Sequence, residues 1–307
     1  MQNWFLIALI APILWSVINH IDKYVLSKYK DGRGVGALLT FSSISSIIVL
    51  PFLAILYGSK IFSISSLDSA ILILIGFLTA SGFYFYLRAM DTEEASIVIP
   101  LFQIDAILAY VLSFAILKES LNINQILSSI LILTGILLLS LEIDIDNKFK
   151  LKKKVLLLVG TSSFLFSISG VLFKKMTILS DFWTSIFWQY VGLTLFGILI
   201  LTFCKKFRQD FVEMFSKPKL GVLSLNILSE VLYIIGALAN NFALLLAPVA
   251  LVFVVNSYQP FFVFIAGVLL TIFLPNVVSE KITRKHFFHK LVSIVIIIIG
   301  SYLLYLS

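Results

Sequence analysis

Apolar residues run through this chain in long, nearly unbroken stretches separated by short polar turns. The stretches fall at 4–21, 35–57, 67–87, 95–117, 121–141, 155–173, 182–203, 220–242, 249–274 and 287–306. A helix of about 20 apolar residues matches the hydrocarbon thickness of a bilayer. Within lipid every backbone N–H and C=O needs an internal partner, so runs this long are helices and not barrel strands. The pattern predicts an all-α polytopic membrane protein with ten transmembrane helices, and leaves no interval long enough for a soluble domain.

The second five runs echo the first. Leu14-Trp15-Ser16 falls on Leu165-Phe166-Ser167 at an offset of 151, and Lys23 falls on Lys174 at the same offset. Ala89 falls on Ala243 at an offset of 154, which carries Asp105 onto Gln259. Glu119-Ser120-Leu121 resembles Glu280-Lys281-Ile282, and Gly135 and Gly300 occupy similar places late in the last helix of each half. The preserved order predicts two five-helix units, 1–147 and 148–307. An odd number of spans per unit makes the copies an inverted repeat, an architecture that places substrates near mid-membrane between the halves.

Composition agrees with this picture. Hydrophobic residues make up 60% of the chain and charged residues 13%, with a mean hydropathy of +1.07. Soluble domains carry about 25% charged residues. The first run lacks a positive leading region and a small-residue cleavage site, so it reads as a span and not a signal peptide. The net charge of +7 belongs to short loops and not to a nucleic-acid surface. Of 23 lysines and arginines, 19 fall in odd-numbered loops and only Lys60, Lys118, Lys174 and Lys175 in even ones. The positive-inside rule then places both termini outside a bacterial inner membrane. Lys174 and Lys175 read as snorkelling anchors, and the lipid bilayer is the expected macromolecular partner.

The single cysteine, Cys204, excludes an internal disulfide and a cysteine metal centre. The only histidines are His20, His286 and His289, and no HExxH is present. There is no phosphate-binding glycine loop and no Gly-x-Ser-x-Gly elbow. No cofactor, metal or enzymatic activity is expected.

Several short motifs resemble one family. They are Trp15-Ser16 in the first run, the Ala-Met-Asp-Thr-Glu-Glu-Ala-Ser segment from Ala89 to Ser96 leading into the fourth, and the pattern Lys118, Glu119, Ser120, Leu121, Gln125, Gly135. With the ten-helix pattern, these resemble the EamA-type group of the drug/metabolite transporter (DMT) superfamily. The resemblance implies transport of small metabolites, amino acids among them, through a central cavity lined mainly by helices one, three, four, six, eight and nine. This chain departs from the family in two respects. Its charge pattern puts the termini outside where family members are commonly drawn with them inside. Phenylalanine and valine also crowd Phe253 to Phe264, where the family is rich in proline and small residues.

Ionisable groups inside a membrane mark function by default, because a charge there costs about 2.5–3.5 kcal/mol on insertion scales. Two acids lie far from any loop: Asp105 in the fourth run and Glu230 in the eighth. Around Asp105 stand Gln103 and, in the repeat, Asn256, Tyr258 and Gln259. Asp105 is a solute contact or proton-coupling site, or else helix glue bonded to a neighbouring amide. Glu230 carries the same pair of readings. Trp15, Ser16 and Asn19 share one face of the first helix, with Trp15 a cavity wall or ordinary packing. Tyr84 is a further cavity candidate, while Tyr86 and Arg88 fit an interfacial belt. Ser42, Ser43, Ser45 and Ser46 fit close helix packing.

The expected substrate-binding set is thus Trp15, Ser16, Asn19, Tyr84, Gln103, Asp105, Glu230, Asn256, Tyr258 and Gln259, with Asp105 and Glu230 as proton-coupling groups. The expected function is secondary transport of a small cationic or zwitterionic metabolite by alternating access, proton-coupled or by exchange, in a monomer or homodimer. The competing readings are an intramembrane lipid-modifying enzyme using Asp105 and Glu230, and a non-transporting membrane sensor or subunit.

Overall fold

The structure, a computed structural model, describes residues 3–29, 33–93, 95–140, 153–216, 220–273 and 284–306. Among these residues all regular structure is helical. The elements are α1 (Asn3–Ser27), α2 (Arg33–Ser45), α3 (Val49–Tyr57), α4 (Ser66–Thr92), α5 (Ala95–Leu101), α6 (Ile104–Leu117) and α7 (Ile123–Ser140). They continue with α8 (Lys153–Leu179), α9 (Phe182–Phe203), α10 (Lys205–Ser216), α11 (Leu220–Leu246), α12 (Val249–Asn256), α13 (Gln259–Phe273) and α14 (Arg284–Leu306). The chain is an integral membrane protein of the all-α polytopic class. Eight helices, counting runs that continue across a short break, are long and apolar enough to cross a bilayer. The runs at 121–141 and 287–306 contribute the shorter apolar helices Ile123–Leu139 and Val292–Leu306.

Local sequence explains the helix ends. Ser65 caps α4 by accepting from Asp68 N at 3.1 Å, and Asp181 caps α9 by accepting from Trp183 N and Thr184 N at 3.0 and 3.1 Å. Asn122 and Gln125 form a reciprocal capping box on α7: Gln125 N donates to Asn122 Oδ1 and Asn122 N to Gln125 Oε1. Lys118 ends α6 in the left-handed region, with φ of 58°. Pro51 has no N–H to offer the carbonyl of Ile47, and a 3₁₀ turn at Ser46–Ile48 separates α2 from α3 at that point.

Four runs extend a turn or more past their apolar limits. α1 continues through Asp22 and Lys23 to Ser27, and α4, α8 and α11 reach Thr92, Leu179 and Leu246. Polar residues at these ends are paired inside the bundle, so hydropathy understates the helices.

Small residues set the crossings. A Cβ on Gly192 would lie 2.2 Å from the Ile73 carbonyl and one on Gly76 2.3 Å from the Gln189 carbonyl, so α4 and α9 touch through backbone. α7 and α14 cross reciprocally: Gly135 faces Ile297, and Gly300 faces Ile132. The bundle's outer face is apolar, with Ile48, Ile55, Leu157 and Phe203 exposed for lipid to cover. α10 is different in kind. It lies over the start of α2, where Gly36 leaves room for Asp210, and Phe207 and Phe215 pack at a tilt against Tyr84 and Phe41.

Two lysines expected at the lipid surface or in a loop are internal instead. Lys174 is 8% exposed, ion-paired to Glu119, and donates to the Ala247 carbonyl at 2.7 Å. Its place as a snorkelling anchor is therefore corrected: the last carbonyls of α11 and the Glu119 carboxylate replace the headgroup. Lys23 donates to the carbonyls of Met90 and Glu93 at the end of α4, each at 2.7 Å. A cation at a helix C-terminus also meets the negative end of the helix dipole.

Candidate binding cavity

The fourth and ninth runs are each broken once. α5 gives way to α6 at Phe102-Gln103, and α12 gives way to α13 at Ser257-Tyr258. At both breaks backbone bonds shorten to the i−3 carbonyl, as in Gln103 N to Pro100 O and Tyr258 N to Val255 O. Pro260, which has no N–H to give, sits in the first turn of α13 where none is required. Each break is tied to the last helix of its own half. The Gln103 amide lies against α7, with its nitrogen 3.0 Å from the Leu133 carbonyl, and the Tyr258 hydroxyl bonds Ser301 of α14.

Between these breaks lies a cavity of about 190 Å³. Its floor and walls come from α1, α4, α8, α9 and α11 as well as the two broken runs. Six of these seven are the helices named by the family resemblance. α9 adds Gln189 and Tyr190. Aromatic surface is supplied by Trp15, Phe83, Tyr86, Phe102, Phe166, Phe173, Tyr190, Tyr233 and Phe253. Polar atoms come from Asn19, Asp22, Thr79, Gln103, Asp105, Ser169, Gln189, Asn240, Asn241, Asn256, Ser257 and Gln259. Among the described residues, no lysine or arginine lines the cavity.

Of the ten expected substrate-binding residues, the cavity gathers Trp15, Asn19, Gln103, Asp105, Asn256 and Gln259. Trp15 packs on Gly236, where a Cβ would stand 2.8 Å from Nε1, and that indole N–H has no partner. Asp105 stands in the first turn of α6 beside Ser163. Asn256 Nδ2 donates to Asn240 Oδ1 at 2.8 Å, and Asn241 Nδ2 to Gln189 Oε1 at 3.1 Å.

The other four lie outside the lining. Ser16 turns its hydroxyl back to the Ile13 carbonyl at 2.6 Å. Tyr84 packs on Phe85 and on Phe207 of α10. Tyr258 is occupied by Ser301 and by an edge contact with Phe5. Glu230 faces Ser42 and lies near Asp22, Tyr190 and Tyr233, behind the cavity wall.

Sequence reasoning passed over two residues that the structure brings in. Tyr86, assigned to an interfacial belt, is 8% exposed and its hydroxyl lies 2.7 Å from Asn19 Oδ1 and 3.2 Å from Asp22 Oδ2. Asp22, one residue past the first apolar run, is 2% exposed. Both follow from helical spacing. Thr79, Phe83 and Tyr86 recur at four and three, which selects Tyr86 over Tyr84. Trp15, Asn19 and Asp22 recur in the same way, once α1 is carried one more turn.

The arrangement defines a polytopic helical membrane protein with a central polar cavity bounded by two interrupted helices. Residues 2–141 match the model of the EamA-like transporter family. A 130-residue stretch is 32% identical to an "Uncharacterized transporter" of Clostridium kluyveri, covering 42% of this chain and 40% of that protein's length. The whole fold is similar to a solved structure described only as "Crystal structure of protein". The TM-score is 0.60 at 12% identity, over 99% of this chain and 96% of that one.

Proposed function

We propose that the protein is a secondary carrier that moves a small amine-bearing metabolite, cationic or zwitterionic, by alternating access. The carrying observation is a cavity that holds Asp105 and no lysine or arginine in its lining, placed where two helices are interrupted. Interrupted helices free backbone groups for a solute, and acids such as Asp22 and Asp105 without a competing cation in the lining attract an ammonium. The cavity has room for on the order of ten waters, a size suited to an amino acid. Ring faces of Trp15 and Phe253 offer cation–π contact, and the Asn and Gln amides serve either end of a zwitterion.

Matched features in the two halves support the inverted-repeat reading, with units 1–147 and 148–307. Lys23 holds the end of α4 as Lys174 holds the end of α11. The reciprocal Gly135–Ile297 and Gly300–Ile132 contacts have the form expected of a two-fold axis between α7 and α14. Rocking of one unit against the other about such an axis opens the cavity to alternate sides. The lipid-modifying enzyme is disfavoured because Asp105 lines the cavity and Glu230 does not.

The test is a substrate-panel thermal-shift screen on purified protein, followed by uptake of the hits into proteoliposomes with and without a pH gradient. Amine-bearing solutes should be the hits. Asp105→Asn should weaken their apparent affinity tenfold or more, equivalent to about 1.4 kcal/mol. Hits confined to organic anions, or transport unchanged by Asp105→Asn, overturn the proposal.

A further inference from the structure

Asn19, Asp22 and Tyr86 form a hydrogen-bonded set in the cavity wall that does not include Asp105. Tyr86 Oη lies 2.7 Å from Asn19 Oδ1 and 3.2 Å from Asp22 Oδ2. All three residues are buried. A phenol carries one proton, while an amide carbonyl and an ionised carboxylate only accept. One O–H cannot satisfy both acceptors, and an acceptor left facing a phenol lone pair in a dry site is costly. Meanwhile the Asn19 Nδ2 group, with two N–H donors, is buried without a partner.

With the Ser229 hydroxyl facing Asp22 in both, counting the remaining protons leaves two arrangements. In the first, Asp22 is protonated and donates to the Tyr86 oxygen, Tyr86 donates to Asn19 Oδ1, and the Asn19 N–H groups are left for the cavity. In the second, Asp22 is ionised, Tyr86 donates to it, and the Asn19 amide turns over. Its Nδ2 then donates to the Tyr86 oxygen and its carbonyl is left for the cavity. Passing from the first to the second releases one proton to solvent and exchanges the Tyr86–Asn19 Oδ1 bond for an Asn19 Nδ2–Tyr86 bond, so the number of hydrogen bonds is kept. The shorter contact at the Asn19 carbonyl and the unpartnered nitrogen match the heavy-atom geometry of the first.

We propose that Asp22 is a proton-binding site whose occupancy, relayed by Tyr86, decides whether Asn19 offers the cavity hydrogen-bond donors or an acceptor. An ammonium-bearing solute requires the acceptor and therefore the ionised state, so proton and solute exclude one another without sharing an atom. That use rests on the carrier reading above, whereas the switch itself does not. The groups facing Asp22 from other helices are Tyr86 of α4 and Ser229 and Glu230 of α11. Glu230 disfavours a second negative charge beside it. Lys23, next in sequence, does not neutralise Asp22 because its ammonium is held by the carbonyls of Met90 and Glu93.

The switch is tested without any solute, so failed transport assays leave it standing. Full-length protein in liposomes, with and without ¹⁵N-asparagine, is titrated with pH and followed by difference infrared spectroscopy. The wild type should show a protonated-carboxyl C=O band and an isotope-sensitive asparagine band that appear together on acidification. Asp22→Asn should remove both bands. Asn19→Ala should remove the asparagine band alone. Tyr86→Phe should keep a shifted carboxyl band and make the asparagine band pH-independent. Glu230→Gln and Asp105→Asn should keep the coupled pair. A carboxyl band and an asparagine band that still appear together in Asp22→Asn, or an asparagine band still pH-dependent in Tyr86→Phe, overturn the proposal. Should Asp22→Asn not fold, the wild-type, Asn19→Ala and Tyr86→Phe spectra decide it.

Discussion

Replacing Lys174 with methionine asks whether this lysine braces the bundle or anchors it to lipid. Lys174 Nζ meets Glu119 Oε1 at 2.5 Å, with side-chain exposures of 10% and 17%. It also donates to the Ala247 carbonyl at 2.7 Å. Methionine preserves the apolar stem and removes the charge. Glu119 would then keep only the Val249 N–H, now at 2.8 Å, and the end of α11 would lose a donor. Removing one member of a buried ion pair costs about 3–5 kcal/mol, because the remaining charge stays desolvated. An exposed lysine contributes roughly 0–1 kcal/mol.

At ~2–4 °C per kcal/mol for domains of 150–250 residues, the buried reading predicts a fall in melting temperature on the order of 10 °C. The assay is fluorescence-detected size exclusion after heating for a fixed time, since the denaturation of such proteins is irreversible. Lys174→Met with Glu119→Gln should be more stable than the sum of the single losses implies, with a coupling of about 0.5–3 kcal/mol. A loss below ~2 °C for Lys174→Met, or strict additivity in the double variant, refutes the internal pair.

Gly192→Ala would put a methyl 2.2 Å from the Ile73 carbonyl, and overpacking of this kind costs about 1–3 kcal/mol. The same thermal assay should show a clear loss, while Gly160→Ala, whose Cβ meets nothing within 4 Å, should be neutral or slightly stabilising. Burial raises the Asp210 carboxyl above its ordinary value of 3.8, against the lowering effect of Lys206 and Arg33, with Glu213 adding to the rise. The folded state therefore binds this proton more tightly than the unfolded state. The ionised carboxylate's penalty is absent below the ordinary value and grows as pH rises toward the folded value. Asp210→Asn should accordingly flatten the loss of α10 docking across that window, read by protease accessibility of Lys205 and Lys206.

The Lys118-Glu119-Ser120-Leu121, Gln125, Gly135 pattern shows how far a motif can be read. It stands out in the sequence, yet its residues do not touch the cavity. Lys118 terminates α6, Glu119 holds Lys174 and the N–H of Val249, Gln125 caps α7, and Gly135 lets α14 approach. The motif maintains the junction between the helices. The cavity is lined instead by side chains that no local pattern distinguishes, such as Gln189, Asn240 and Asn241. An amide on a long apolar helix reads the same whether it meets a neighbour or a solute.

Apolar run length by itself determined that this is an all-helical membrane protein, because lipid penalises any unpaired backbone group wherever it occurs. Helical spacing and the near-constant repeat offset were enough to pick Trp15, Asn19, Asp105 and Gln259. Only the tertiary structure decided that α1 runs past Asp22 and Lys23, that Tyr86 and not Tyr84 faces inward, that Lys174 is internal, and that Glu230 stands behind the cavity wall. Hydropathy scores each polar group as though it were alone in lipid. Its real environment depends on which carbonyl, hydroxyl or carboxylate a distant helix brings to it.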